Sequence, residues 1–484
     1  MHKLNRSISV AARILQFELR SLTRGSLLPA LAAIFILAAA VALYYGRSVM
    51  VMHKAALDSI QQDYHQQYIK LYKQLDADTS TAQGKTDYIM ASHPAVVDYR
   101  LHRTVFHPPA PLSLLAIGMS DMATYYFPVT IKQSFVPAEE KINNPEYLLS
   151  GNFDGAFLLI YLLPLAAICL SYNLLAQEKE QGTLALLVIQ KGSITGTLLL
   201  RLLLRYLILL IAVLLITITG ICLSGGAQVP WQACLAWMGV CAAYTALWMA
   251  IIWFILSWNT TAAANLVILL CTWLLLLVVI PALFRLSMPA AAGADDTATY
   301  ASRQREIEWD TWELPQKQLL DSFYAAHPQY YNQQAYDTSA ASSRRLMAYF
   351  ELVAKRMQRV MAGQETARRR DMQAVTASYY YNPAVYTQTL LNSIARTDIT
   401  DYAFFNRQAN VFREQWKQFF YRLHFNGRKF TAADYKNLPA YKPVYDANSA
   451  TRWWKGTAYL LLLTAGWLLA GIAVLWKRHV RHDH

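Results

Sequence analysis

The sequence predicts a mostly α-helical, polytopic membrane protein with six transmembrane helices and two largely helical extracytoplasmic domains. Three observations lead there. Of the 484 residues, 55% are hydrophobic and only 15% charged, more apolar side chain than a soluble globule of this length usually carries. Six stretches have the run of about 20 apolar residues that a helix needs to cross a bilayer core of about 30 Å. Two intervening stretches are polar enough for water and long enough to fold.

In chain order, residues 1–26 form a cytoplasmic tail and 27–46 the first span. Residues 47–152 make the first extracytoplasmic domain, 153–175 the second span, 176–197 a cytoplasmic coupling segment and 198–222 the third span. An outer loop at 223–231 leads to the fourth span, 232–257, and an inner loop at 258–261 to the fifth, 262–284. Residues 285–456 make the second domain, 457–476 the sixth span and 477–484 a second cytoplasmic tail.

Flanking charge sets the orientation. Lys3, Arg6, Arg13, Arg20 and Arg24 stand against a single Glu18 before the first span, and Lys477, Arg478 and Arg481 against Asp483 after the last. Both ends are therefore expected in the cytoplasm, as an even number of spans requires. Arg201 and Arg205, at the start of the third span, then reach the cytosol by snorkelling. The first span reads as an uncleaved anchor, because a signal peptide has a shorter head and a shorter apolar core. The net charge of +13 is spread over the flanks and the second polar segment and is no nucleic-acid signal.

The five cysteines, Cys169, Cys222, Cys234, Cys241 and Cys271, all lie in or beside spans. No disulfide framework supports the polar domains, which are expected to rely on packed cores of their own. "VMHKAALDSIQQDYHQQYIKLYKQL" continues the first helix beyond the membrane, and the prolines of "TVFHPPAPLSLL" break it into extended structure. Leu346, Phe350, Val353, Met357 and Val360 mark one helix seam; Phe405, Phe412, Trp416, Phe419 and Leu423 mark another. "YYYNPAVY" and "KNLPAY" are proline-marked joints.

Catalytic chemistry is not legible. "QGKTDY" lacks the glycine that a phosphate loop needs five positions before Gly84, where Thr79 stands, and no zinc-protease pair or serine elbow occurs. His102 and His107 are isolated, and the tail histidines His479, His482 and His484 read as a basic end. The chain is expected to be no enzyme by itself and to hold no cofactor or metal.

The informative stretch is "YNLLAQEKEQGTLALLVIQK", Tyr172 to Lys191. Three adjacent charges, Glu178, Lys179 and Glu180, would each cost about 2.5–3.5 kcal/mol at a helix centre, so the chain must leave the membrane there. Gly182 permits a change of direction, Thr183 can cap a following helix, and "TLALLVIQK" is too short to span. It suits a short helix along the membrane surface or in a groove of a protein beneath it; a plain hairpin is the alternative. Pro164 either loosens the second span or fixes a kink. Asn152 and Asp154 either line an exit or cap that helix, and Asn265 is expected to bond a neighbouring helix.

"NPEYLLSGNFDGAFLLIYLLPLAAICLSYNLLAQEKEQGTLALLVIQ", Asn144 to Gln190, resembles the signature region of ABC-2 type permease subunits. The likeness is to the subgroup with two large extracytoplasmic insertions, related to gliding-motility and nitrous-oxide-reductase maturation permeases. "ARILQFELRSLTR" resembles the family's amphipathic elbow helix, and "NPAVYTQTLLNSIARTDITDYAFFNRQ" is similar to the same subgroup. The resemblance implies that Glu178, Lys179, Glu180, Gly182, Thr183 and Leu184 couple to a separate ABC ATP-binding subunit that holds ATP and Mg. It also implies a second permease subunit, identical or related, and export across a bacterial cytoplasmic (inner) membrane. Membrane lipid and an envelope protein are further expected partners. The alternative expectation is an ATP-driven mechanical device, sensor or scaffold of the envelope that moves no solute.

Overall fold

The computed structural model describes residues 15–132, 152–180, 182, 194–225, 229–287, 293–331, 341–446 and 449–482. Residues 15–24 form helix α1, and after a bend α2 runs unbroken over Leu27–Gln74. At about 1.5 Å per residue this one helix is about 70 Å long, more than twice a bilayer core. Helices α3 (Ala82–Ser92) and α4 (Pro94–Arg100) follow, then strands β1 (Arg103–Phe106) and β2 (Tyr126–Val129), paired antiparallel with Arg103 opposite Val129. Between the strands the proline-rich segment makes a 3-10 turn at Pro111–Leu114 and no long helix.

Helices α5 (Gly155–Ser171), α6 (Ala176–Glu180), α7 (Ile194–Leu223), α8 (Trp231–Leu256) and α9 (Ala262–Phe284) come next. The second polar segment supplies α10 (Gly293–Trp312), α11 (Gln316–Ala326), α12 (Ala341–Ser378), α13 (Pro383–Ile394), α14 (Ile399–Phe425) and α15 (Ala432–Lys436). Helix α16 (Ser449–His482) ends the described chain.

Five helices are long and apolar enough to cross a membrane: α2, α7, α8, α9 and α16. The sixth expected span, α5, is shorter and contains a π-turn at Leu158–Leu162. Helix α8 is the centre of the bundle, with 78% of its apolar stretch buried, against 11–22% for the other four. Their uncovered leucines and isoleucines, such as Leu207 and Ile211 on α7, need an apolar solvent, which a bilayer supplies.

The cores expected separately for the two polar segments are one core. Leu71, Val97, Leu101, Val105 and Phe127 from the first pack with Leu319, Phe323, Phe405, Trp416 and Phe420 from the second. The first segment contributes the outer part of α2, two short helices and a two-stranded sheet, too little to enclose a core alone, so they complete the larger helical set. Polar contacts join them: Trp416 Nε1 donates to Asp98 Oδ1 at 2.7 Å, and Phe430 N to Ser92 O at 2.7 Å. This head stands at one end of the bundle; the opposite end is the base.

Several groups of the head carry an acid-sensitive signature, and His424 is one of them. His424 is buried, Nε2 has no hydrogen-bond partner, and burial, aided by the nearby His93, pushes its imidazole down to about 4. The unfolded chain takes up the proton first, so this contribution to stability is complete above about 6.5 and is lost as pH falls through about 4. Asp98, whose carboxyl burial pushes up to about 6, has the opposite sign. A His424→Phe variant should therefore lose less stability than the unmodified protein between about pH 6.5 and 4. Thermal unfolding of both across that range reads the difference, and parallel curves would refute the assignment.

Candidate functional site

The base is held by charge. Arg201 and Arg205, four residues apart, share one face of α7 and both reach Glu18 on α1. Arg201 Nε lies 2.7 Å from Glu18 Oε1, and Arg205 Nη2 lies 3.2 Å from Glu18 Oε2. Arg201 Nη2 also pairs with Glu178 Oε1 on α6 at 2.9 Å. Arg205 Nε donates to Leu170 O at 2.7 Å, near the end of α5, where unpaired carbonyls and the helix dipole both favour a cation. The expectation that both arginine heads reach water is corrected for Arg205: it is 5% exposed and Glu18 only 6%. A counter-charge from 187 residues earlier in the chain makes burial tolerable.

The three adjacent charges divide among three partners. Glu178 joins the arginine cluster on α7. Lys179 Nζ donates to Asn259 O at 3.3 Å, in the turn between α8 and α9, where Asn259 has φ 48. Glu180 Oε1 accepts the N–H of Ala262 at 3.3 Å, at the positive end of α9. Asn265 secures the same corner, donating from Nδ2 to Tyr172 O at 3.3 Å. Lys179 and Glu180 are exposed and Glu178 half-buried, so the triplet fastens the elements behind it and still presents a charged surface. Gly182 has φ 72, a conformation that glycine adopts without strain. Thr183, Leu184 and the expected short surface helix lie outside the described residues.

At the head end of α5, Asp154 is the N-cap: Oδ1 accepts Phe157 N–H at 2.8 Å and Oδ2 accepts Ile117 N–H at 2.8 Å. Asn152 Nδ2 donates to Gly118 O at 3.2 Å. Both residues therefore hold backbone in place.

Pro164 follows the π-turn of α5 and has no N–H to return to the preceding turn. Ile160 O, four residues back, instead accepts the Tyr244 hydroxyl of α8 at 3.1 Å, and Tyr161 O accepts Trp273 Nε1 of α9 at 3.1 Å. The π-turn is thus pinned from two sides. Sequence reasoning missed this pinning and the Glu18 cluster. The one available signal for the cluster was two arginines spaced four apart on an apolar helix, together with the lone acid of a basic leader.

Among the described residues, no group of three or more His, Cys, Asp or Glu side chains could hold a metal ion. A family model described as Domain of unknown function (DUF3526) matches residues 297–443, which covers most of the second polar segment and less than half of the chain. No curated protein and no solved structure matches the chain.

Proposed function

We propose that the chain is the permease subunit of an ATP-driven ABC-2 type exporter in a bacterial cytoplasmic membrane. A separate ATP-binding subunit binds ATP and Mg, and a second permease, identical or related, completes the pathway. The base faces the cytosol and the head lies outside. The observation that carries this reading is the fastening of Glu178, Lys179 and Glu180 to α7, to the α8–α9 turn and to the start of α9. A handle can move spans only if it is tied to them. The resemblance of residues 144–190 to ABC-2 permeases supplies the engine.

Coupling requires that the triplet bind the two states of the ATPase unequally, since equal binding shifts no equilibrium. Replacing both Glu178 and Glu180 with alanine should lower co-purification of the ATP-binding subunit by about tenfold or more, the loss expected when central interface groups are removed. Unchanged association and unchanged ATPase activity would sink the reading.

A second reading has one observation in its favour. Helix α2 runs from beside α1 through the bundle to Leu71 in the head core without a break, a stiff rod suited to passing force outward. In that case no solute stimulates the ATPase, and an envelope protein bound to the head does.

A further inference from the structure

A segment of the first polar stretch enters the mouth of the bundle. Leu112, Leu114, Leu115, Ala116 and Ile117 are all buried, although they belong to no long helix and to no sheet. Room is made by glycines on three helices. A Cβ at Gly46 of α2 would strike the Leu114 backbone, one at Gly155 of α5 would lie 2.9 Å from Leu115 O, and one at Gly220 of α7 would lie 2.9 Å from Leu115 Cγ. Any side chain there would push the segment out.

Leu115 forms one wall of a small vestibule of about 20 Å³, whose other walls include Phe35, Leu158, Val213, Ile216, Thr217 and Trp237. Its polar atoms satisfy one another: the Thr217 hydroxyl donates to Val213 O at 2.9 Å and accepts Trp237 Nε1 at 3.2 Å. Its walls are mostly apolar and favour apolar matter.

The segment is tethered by a handful of bonds outside any helix or sheet ladder. Ala156 N donates to Leu115 O at 2.9 Å, Ile117 N to Asp154 at 2.8 Å, Thr397 Oγ1 to Ala116 O at 3.0 Å, and Met119 N to Thr397 O at 2.8 Å. Gly118, with φ 51, supplies the bend at its end. Thr397 lies between α13, which packs on the spans, and α14, which packs in the head, so the segment is tied at the junction of the two.

We propose that residues 111–119 are a displaceable plug and that the vestibule, enlarged when they leave, is a binding site for an apolar, lipid-like solute. Leu115 packs between α5 and α7 at its edge, and a solute that takes the place of the segment must offer the same apolar chemistry. The proposal rests on the transporter reading and names the substrate class for it.

Photolabelling tests it on the full chain in lipid vesicles with a diazirine-bearing fatty acid. Label on residues 155–159, 213–217 and 237–241 is mapped by mass spectrometry and divided by label on Leu207 and Ile211, which face lipid. Leu115→Ala and Gly46→Val should each raise the ratio by about tenfold or more, since one removes a buried leucine and the other displaces the segment. Gly466→Leu, at a position with nothing nearby, should leave it unchanged. An unchanged ratio in Leu115→Ala, or equal labelling of the vestibule by a diazirine-bearing sugar, would overturn the proposal. The experiment needs neither nucleotide nor partner, so loss of the ATPase assignment leaves its outcome readable.

Discussion

Replacing Glu18 with alanine is expected to destabilise the protein by about 3–5 kcal/mol, the usual effect of removing one partner from a buried ion pair. Arg205 Nε and Nη1 would keep their bonds to Leu170 O and Arg201 O, but the guanidinium would lose the counter-charge that Glu18 supplies while remaining out of water. Arg201 would retain Glu178. Substituting both partners, Glu18→Leu with Arg205→Met, should recover most of the loss, because an apolar pair of similar size leaves no charge to solvate. Glu306→Ala is the contrast. Its pair with Arg303 is more than half exposed, and exposed pairs contribute about 0–1 kcal/mol. Thermal unfolding of the four proteins in the same micelles reads the ranking. A double variant as unstable as Glu18→Ala would mean that packing of α1, and not its charge, holds the base.

How much of this was legible in the sequence depends on distance along the chain. Helix α2 could be read past the membrane because its apolar residues keep a helical period after the greasy run ends. The N-caps Asp398, Thr431 and Asn382 precede their helices by the usual chemistry, and each side chain accepts a backbone N–H of the first turn. Contacts between remote residues leave no such period. Glu18 with Arg205, Asp98 with Trp416 and Ala116 with Thr397 are separated by 187, 318 and 281 residues. The merging of two expected cores into one head follows from contacts of that kind. So does the plug: its prolines announced irregular chain, while the glycines that receive it are scattered over three spans and are unremarkable in each.

The π-turns belong to the same class, and Asn382 gives the second large expected effect. Helix α9 has a π-turn at Leu275–Val279 just before Pro281, and Ile280 N bonds Leu275 O in the wider register. The next donor in that register would be Pro281, which has no N–H, so Leu276 O is left for another partner. Asn382 Nδ2 reaches it at 2.5 Å, while Oδ1 of the same side chain accepts Ala384 N–H at 3.0 Å and caps α13. One buried amide therefore joins α13 of the second polar segment to a span. Asn382→Ala should cost about 2–4 kcal/mol, from a lost cap and a carbonyl stranded away from water. Asn382→Ser keeps a capping oxygen but no donor that reaches Leu276, so it should fall between the two. Hydrogen exchange provides a second readout. If the link is mechanical, amides of α13 and of residues 275–281 should open together in the alanine variant, whereas faster exchange confined to α13 would reduce Asn382 to an ordinary helix cap.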